Sequence, residues 1–102
     1  MSYNELELKV IRWSEERKIL PRSTPIAQWH KAMEEMDELR RGIAWKNMDE
    51  TKDAVGDVVV CLINICALLD ISLVECLGLA YNEIKDRKGY LGEDGIFVKE
   101  SK

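Results

Sequence analysis

The run from Val58 to Leu69 constrains the fold more than any other part of the sequence. It spans 12 residues and is apolar except for Asn64. A helix that crosses a membrane needs roughly 20 such residues, so this run reads as a helix buried in a protein core. The expected helix begins near Asn47 or Asp49 with two polar turns and continues to about Leu69. A helix that is apolar around its full circumference takes a central place. Three short neighbours in a small chain do not readily cover it, which points to oligomerisation through helices.

Three further helices are expected around it. Tyr3, Leu6, Val10 and Trp13 fall at three- and four-residue steps in a segment from Tyr3 to about Lys18, with Ser2 as N-cap. Pro21 interrupts, and Ser23, Thr24 and Pro25 give a second start, a capping residue followed by proline at the first helical position. This helix is expected to run from Pro25 to Arg41 and stop at Gly42. Gly42 to Met48 then reads as a connection in which Trp45, a large aromatic, needs a cover. Asp70 and Ser72 mark a turn and a new N-cap, after which Leu73, Leu77, Ala80 and Ile84 form the inward stripe of a last helix ending at Gly89. From Tyr90 to Lys102 the spacing predicts a tail, with turn-forming residues Gly92 to Gly95 and a short extended piece at Ile96, Phe97 and Val98. The expectation is a single all-α domain over residues 1–102, a four-helix antiparallel bundle with a short extended C-terminal tail.

The 102 residues fit one core, and a composition 46% hydrophobic and 33% charged is that of a folded, helix-rich chain. A net charge of −4 argues against binding a nucleic acid polymer, which calls for a basic surface. Met1 to Lys9 lacks a basic region followed by an apolar run, so no secretory signal and no membrane partner are expected, and the cytoplasm is the expected location. Cys61, Cys66 and Cys76 are odd in number and lack a Cys-x-x-Cys pair, which makes them reduced core residues.

The carboxylates carry the functional signal. Glu34, Glu35 and Glu38 share one side of the second expected helix. Glu50, Asp53 and Asp57 recur at three- and four-residue steps on the third, within a stripe about 60° wide that leads into the apolar run. Like charges at these spacings repel by a few tenths of a kcal/mol per pair, roughly, and a hard divalent cation offsets this. Mg²⁺ prefers carboxylate oxygens, keeps several waters and bridges such a site to substrate phosphates. A solvated acidic face is the bland alternative, but Asp53 and Asp57 precede a helix that must enter the core, at the mouth of a bundle where facing helices pool ligands. On the last helix Asn82, Lys85, Arg87 and Lys88 fall within two turns. They read either as cations favoured at a helix C-terminus or as phosphate ligands.

Glu34-Glu35-Met36-Asp37-Glu38, a spacer, then Asp53-Ala54-Val55-Gly56-Asp57 resembles the Glu-Glu-x-x-Glu and Glu-x-x-Asp hallmark of the MazG-like all-alpha nucleoside triphosphate pyrophosphohydrolases, in particular their small, often phage-encoded members. Trp13-Ser14-Glu15-Glu16-Arg17, Gln28, Lys31 and the stretch Tyr81 to Gly89 are similar too, so the likeness covers nearly the whole chain. It departs at Ala54, where the pattern has an acid: either Asp53 substitutes from one residue away, or Glu50-Thr51-Lys52-Asp53 is the working element. The resemblance implies hydrolysis of an NTP or dNTP to the monophosphate and pyrophosphate, with Mg²⁺ (or Mn²⁺) as cofactor and a homo-dimer or homo-tetramer as the assembly. It implies Glu35, Glu38 and Asp57 as metal ligands, with Asp53 or Glu50 completing the set, and Glu34 orienting or deprotonating the attacking water. Lys85, Arg87 and Lys88 fall to phosphates, Lys31 to the substrate, and Asn82 to phosphate, sugar or metal-bound water; Trp13, Trp29 and Trp45 each offer a flat face to the base, with core packing as the alternative, and Trp13 leads. The rival reading is a non-catalytic helical module that binds nucleotides or a basic protein partner.

Overall fold

The computed structural model describes residues 1–100, so the last two positions of the expected tail lie outside the described residues. The chain is mostly helical, with α1 at Tyr3–Glu16, α2 at Ile19–Arg22, α3 at Pro25–Ala44, α4 at Met48–Leu68 and α5 at Leu73–Ile84. A two-stranded antiparallel sheet follows, β1 at Gly89–Leu91 and β2 at Phe97–Lys99. The all-α expectation holds, with α2 as an added short turn around the Leu20–Pro21 bond, which is cis.

Each long helix starts where its capping residue stands. The side chains of Ser2, Thr24, Asn47 and Ser72 accept from the backbone N–H of Glu5, Ala27, Glu50 and Glu75, satisfying donors that have no partner inside the helix. The ends differ from expectation. Gly42 does not stop α3 but lies inside it, buried, and the helix runs on to Ala44. It ends where Lys46 adopts a left-handed φ of 54°, with Asn47 N–H donating to the Gly42 carbonyl and Lys46 N–H to the Ile43 carbonyl. The same pair of bonds, from Ile71 to Cys66 and from Asp70 to Ala67, closes α4 behind left-handed Asp70. Lysine and aspartate therefore occupy the position that glycine usually takes.

The packing centres on α3 and α4, which form an antiparallel hairpin with by far the most extensive contact between elements. α1 and α2 lie along α4. The buried residues Ala32, Ala54, Cys61, Ile63 and Cys66 come from α3 and α4, and the small ones let the two backbones approach. At Gly42 the approach is tight, since a Cβ there would sit 2.7 Å from Thr51 Oγ1 and 3.0 Å from the Thr51 nitrogen.

α5 turns away from α4 by 101° and touches it only weakly. The expected inward stripe is therefore not covered by this chain: Leu73 is half-buried, whereas Leu77, Ala80 and Ile84 are exposed. The helix ends at Ile84 and not at Gly89, because Gly89 belongs to β1, where a Cβ would run into the Val98 carbonyl of the paired strand. The expected lone extended piece is thus one arm of a hairpin, in register Gly89 to Lys99, Tyr90 to Val98 and Leu91 to Phe97. No single helix among the described residues is long and apolar enough to cross a membrane.

The tight crossing at Gly42 yields a test. Alanine normally stabilises a helix interior over glycine by up to about 1 kcal/mol. Here Gly42→Ala is expected to destabilise by about 1–3 kcal/mol, because Thr51 is held by its own hydrogen bond to the Asn47 carbonyl and cannot yield freely. Urea denaturation of the two proteins measures the difference, and an unchanged or higher midpoint would refute the close approach.

Candidate active site

Antiparallel pairing sets Glu35 and Glu38, one turn apart on α3, opposite Asp57 on α4. One carboxylate oxygen from each lies within 4.8 Å of the other two. Glu35 is buried and its Oε2 has no hydrogen-bond partner, whereas Glu38 and Asp57 are half-buried. Lys31 sits one turn before Glu35, with Nζ 3.4 Å from Glu35 Oε1 and 3.3 Å from Glu34 Oε2, and these two carboxylates raise its pKa. Burial raises the pKa of the Asp57 carboxyl, and the negative charges of Asp53 and Glu35 raise it further.

A buried carboxylate oxygen without a partner is costly in a folded protein. Three carboxylates with an oxygen each within 4.8 Å of the others, one of them on a residue that keeps an orphaned oxygen, fit a Mg²⁺ or Mn²⁺ ion. The neighbouring acids have other engagements. Asp37 turns outward to Arg40 and Arg41 at 3.0 and 2.9 Å, and Glu34 is exposed and paired with Lys31. Asp53 is exposed but within electrostatic reach of Asp57, and Glu50 stays in the first turn of α4, its Oε2 3.5 Å from Asn47 Nδ2. Ala54, which stands where the hallmark has an acid, is buried in the core.

Two adjoining clefts flank the cluster. One of about 260 Å³ is lined by Trp13, Gln28, Lys31, Glu35, Asp57 and Asn64 among others. The second, of about 350 Å³, shares Trp13 and Asp57 with it and adds Lys9 of α1. Arg17 lies over the Trp13 ring at 5.0 Å, a cation–π contact that braces the indole between the clefts. A polar relay backs the first cleft: the Ser14 hydroxyl donates to Asn64 Oδ1 at 2.6 Å, Asn64 Nδ2 to Gln28 Oε1 at 3.3 Å, and Gln28 Nε2 to Ser23 Oγ at 3.0 Å. Lys9 and this relay escaped the sequence reading. The signal for the relay is an asparagine inside an otherwise apolar run, a residue that needs partners wherever the helix is buried.

Asn82, Lys85, Arg87 and Lys88 are exposed at the far end of α5 and beyond it. With ten residues of α4 between Asp57 and Leu68 and a 101° turn after it, these cations lie roughly 20 Å along the helix axes from the Glu35, Glu38 and Asp57 cluster of their own chain. Arg87 instead lines a separate cleft of about 400 Å³ with Ile84 and Phe97.

No protein-family profile matches the chain. A stretch of 59 residues is 37% identical to an uncharacterized 18.2 kDa protein from the rep-hol intergenic region of Haemophilus phage HP1, over 58% of this chain and 36% of that protein. The chain thus matches little more than a third of that relative's length. Among solved structures, the MazG-like pyrophosphohydrolase of cyanophage S-2L superposes with a TM-score of 0.71 at 19% identity, over 99% of both chains. The fold is MazG-like. That cyanophage protein was solved with dGDP and three catalytic Mn²⁺ ions per active site. In the MazG-like fold of this chain the convergent carboxylates come from the central helix pair, α3 and α4.

The orphaned oxygen and the raised Asp57 pKa predict a coupled response to metal and pH. A carboxyl whose pKa is raised by folding destabilises the folded protein above that pKa and ceases to do so as the pH falls through it. Asp57→Asn should therefore melt at or above the wild-type temperature in EDTA at neutral pH, yet lose the gain that Mn²⁺ confers on the wild type, roughly 2.7 kcal/mol at a hundred times the dissociation constant. Wild-type Mn²⁺ affinity should also weaken on acidification from a higher pH than an ordinary aspartate would give. Thermal melts with EDTA and with Mn²⁺ across pH check both, and an Asp57→Asn protein still stabilised by Mn²⁺ would contradict the assignment.

Proposed function

We infer that this protein is a divalent-metal-dependent nucleoside triphosphate pyrophosphohydrolase, converting an NTP or dNTP to the monophosphate and pyrophosphate. The observation that carries the reading is the grouping of the Glu35, Glu38 and Asp57 carboxylates, with an unpartnered buried oxygen on Glu35, in a MazG-like fold. The dGDP and Mn²⁺ of the cyanophage structure support a nucleotide substrate and a metal cofactor. Glu35, Glu38 and Asp57 hold the ion, Mg²⁺ or Mn²⁺, with Asp53 or Glu50 as a further ligand. When bound, it neutralises phosphate oxygens and makes water more acidic.

The chain's own residues do the rest. Glu34, beside the ligands and open to solvent, orients and deprotonates the attacking water. Lys31 reaches over the carboxylates on the cleft side and meets the incoming phosphates. Trp13 offers the base a flat face. Asn82, Lys85, Arg87 and Lys88 serve the pyrophosphate end by reaching the site of a second copy, since their own site lies too far away. Location in the cytoplasm, the host's if the protein is phage-encoded, is consistent with a nucleotide substrate.

A homo-oligomer, dimer or tetramer, is part of the proposal. The chain exposes 8188 Å². A compact monomer of 11.8 kDa exposes roughly 5900 Å² by the usual scaling. The excess, on the order of 2300 Å² per chain, is what an obligate interface covers. Leu77, Leu79 and Ile84 on α5 and Leu91 and Phe97 in the hairpin supply much of it, and Trp45, 80% exposed, finds its cover there. Light scattering should give a multiple of 11.8 kDa, and a monomer would remove this part of the proposal.

The decisive assay is release of pyrophosphate, as distinct from orthophosphate, from a panel of NTPs and dNTPs with Mg²⁺ or Mn²⁺, beside Glu38→Gln. Turnover of at least one nucleotide is expected. The variant should lose at least the roughly 100-fold that losing a supporting residue can cost a metal site. The absence of an acid at position 54 gives the non-catalytic reading its one support. Metal and nucleotide binding without any pyrophosphate release would decide for it.

A further inference from the structure

The relay behind the first cleft does more than join three helices. Ser14 is fully buried and Asn64 is 2% exposed, so neither finds water. The only partner of the Ser14 hydroxyl among the described residues is Asn64 Oδ1, and its proton must go there. That choice fixes the orientation of the Asn64 amide, which presents its N–H to Gln28. Gln28 must then accept on Oε1 and donate from Nε2 to Ser23. One buried hydroxyl thus sets the sense of two amides in sequence, and a flip of either would leave buried groups of like kind facing each other.

Gln28 is half-buried and lines the cleft. Each of its amide atoms has one bond to the relay, leaving one lone pair and one N–H for a ligand. Position along the helices says what they meet. Gln28 precedes Glu35 by seven residues on α3, and Asn64 follows Asp57 by seven on α4. Because the helices are antiparallel, both amides lie two turns from the carboxylates in the same direction, about 10.5 Å. This is the reach of a nucleotide from its phosphates to the edge of its base, and Trp13 lines the same cleft.

Resting on the hydrolase reading for the placement of the phosphates, we propose that Gln28 reads the base edge, and that Ser14 and Asn64 are positioning residues fixing the sense in which it reads. Oxo bases (guanine, thymine, uracil) present an acceptor beside an N–H donor. Amino bases (adenine, cytosine) present the reverse order. A glutamine free to flip serves both, whereas a glutamine locked in one sense satisfies one class and leaves the other with unpaired groups, the kind of mismatch that active sites reject strongly. The protein therefore discriminates between oxo and amino nucleotides, and Ser14 sustains the discrimination without touching the base.

The test compares wild type, Ser14→Ala and Gln28→Leu in two measurements: kcat/KM over the four dNTPs, and calorimetric binding of dGMP, dTMP, dAMP and dCMP with Mn²⁺. Wild type should separate the two classes by at least about tenfold. Both variants should bring the ratio to within about threefold while keeping the Mn²⁺-induced rise in melting temperature, which shows that they fold and load metal. A purely structural relay would change stability and leave the ratio as it was. Ratios unchanged in the folded variants, or a wild type with no preference, would overturn the proposal. Selective binding that the variants lose, without turnover in any of them, would uphold it and refute the hydrolase reading instead.

Discussion

The close antiparallel packing of α3 on α4 is the constraint from which the rest of the molecule follows. Small residues at the crossing, Gly42, Ala32 and Ala54, bring the backbones together, and Gly42 has no room for a Cβ against Thr51. Only at such a separation can Glu35 on one helix and Asp57 on the other place their oxygens within 4.8 Å. Longer side chains at the crossing would push the helices apart and leave the carboxylates in separate, solvated positions. Steric economy in the core and convergence of charge at its edge are thus one fact about one helix pair.

That convergence has an electrostatic cost, and the structure shows where it falls. Burial and two like charges raise the Asp57 pKa, and Glu35 keeps an oxygen that nothing on the protein satisfies. Lys31 offsets part of this from above, but an exposed ammonium sharing itself between Glu34 and Glu35 is a weak counter-charge. A protein selected for stability alone would remove the orphan with an apolar side chain of similar volume. Asp37, by contrast, lies in the same acidic run and is fully engaged with two arginines on the outside. The difference separates acids that serve solubility from acids that await a ligand.

Much of this was legible in the sequence, and the failures have identifiable causes. The caps of α1, α3 and α5 were readable because a side-chain oxygen ahead of an apolar periodicity has one cheap use, to bind the free N–H groups of a helix, whereas α4, polar in its first turns, was placed only as starting near Asn47 or Asp49. Glu35, Glu38 and Asp57 were readable because helical spacing puts acids on one face whatever the tertiary structure. The ends of α3 and α5 were not. Gly42 and Gly89 look like C-terminal stops, but each answers a close approach of distant chain, Thr51 in one case and Val98 in the other. The true stop after α3 is a lysine in left-handed conformation, held by two backbone bonds that no residue preference announces. Glu50 and Asp53 share a stripe with Asp57, but a stripe ignores position along the axis: the structure groups Asp57 with the two glutamates, leaves Asp53 exposed within electrostatic reach and keeps Glu50 beside Asn47.

The placement of α5 shows how a correct amphipathic pattern can mislead. Leu73, Leu77, Ala80 and Ile84 do form one face, and the inference that such a face is buried is sound physics. What the pattern does not specify is whose core it joins. Asp70 in left-handed conformation and the buried Glu7, whose carboxylate accepts the Leu73 N–H at 3.1 Å, fix the start of α5 so that it leaves α4 at 101°. The radius of gyration is 16.2 Å, where a compact domain of this length has roughly 13 Å. α5 thus stands as an arm away from its own core, with an exposed apolar face and cations at its tip. The arrangement becomes economical when the apolar face packs on another copy and the basic tip, roughly 20 Å along the helix axes from its own carboxylate cluster, comes within reach of another set. In the proposed oligomer the small core, the excess surface and the remote cations would share one cause, a folding unit smaller than the unit that completes the site.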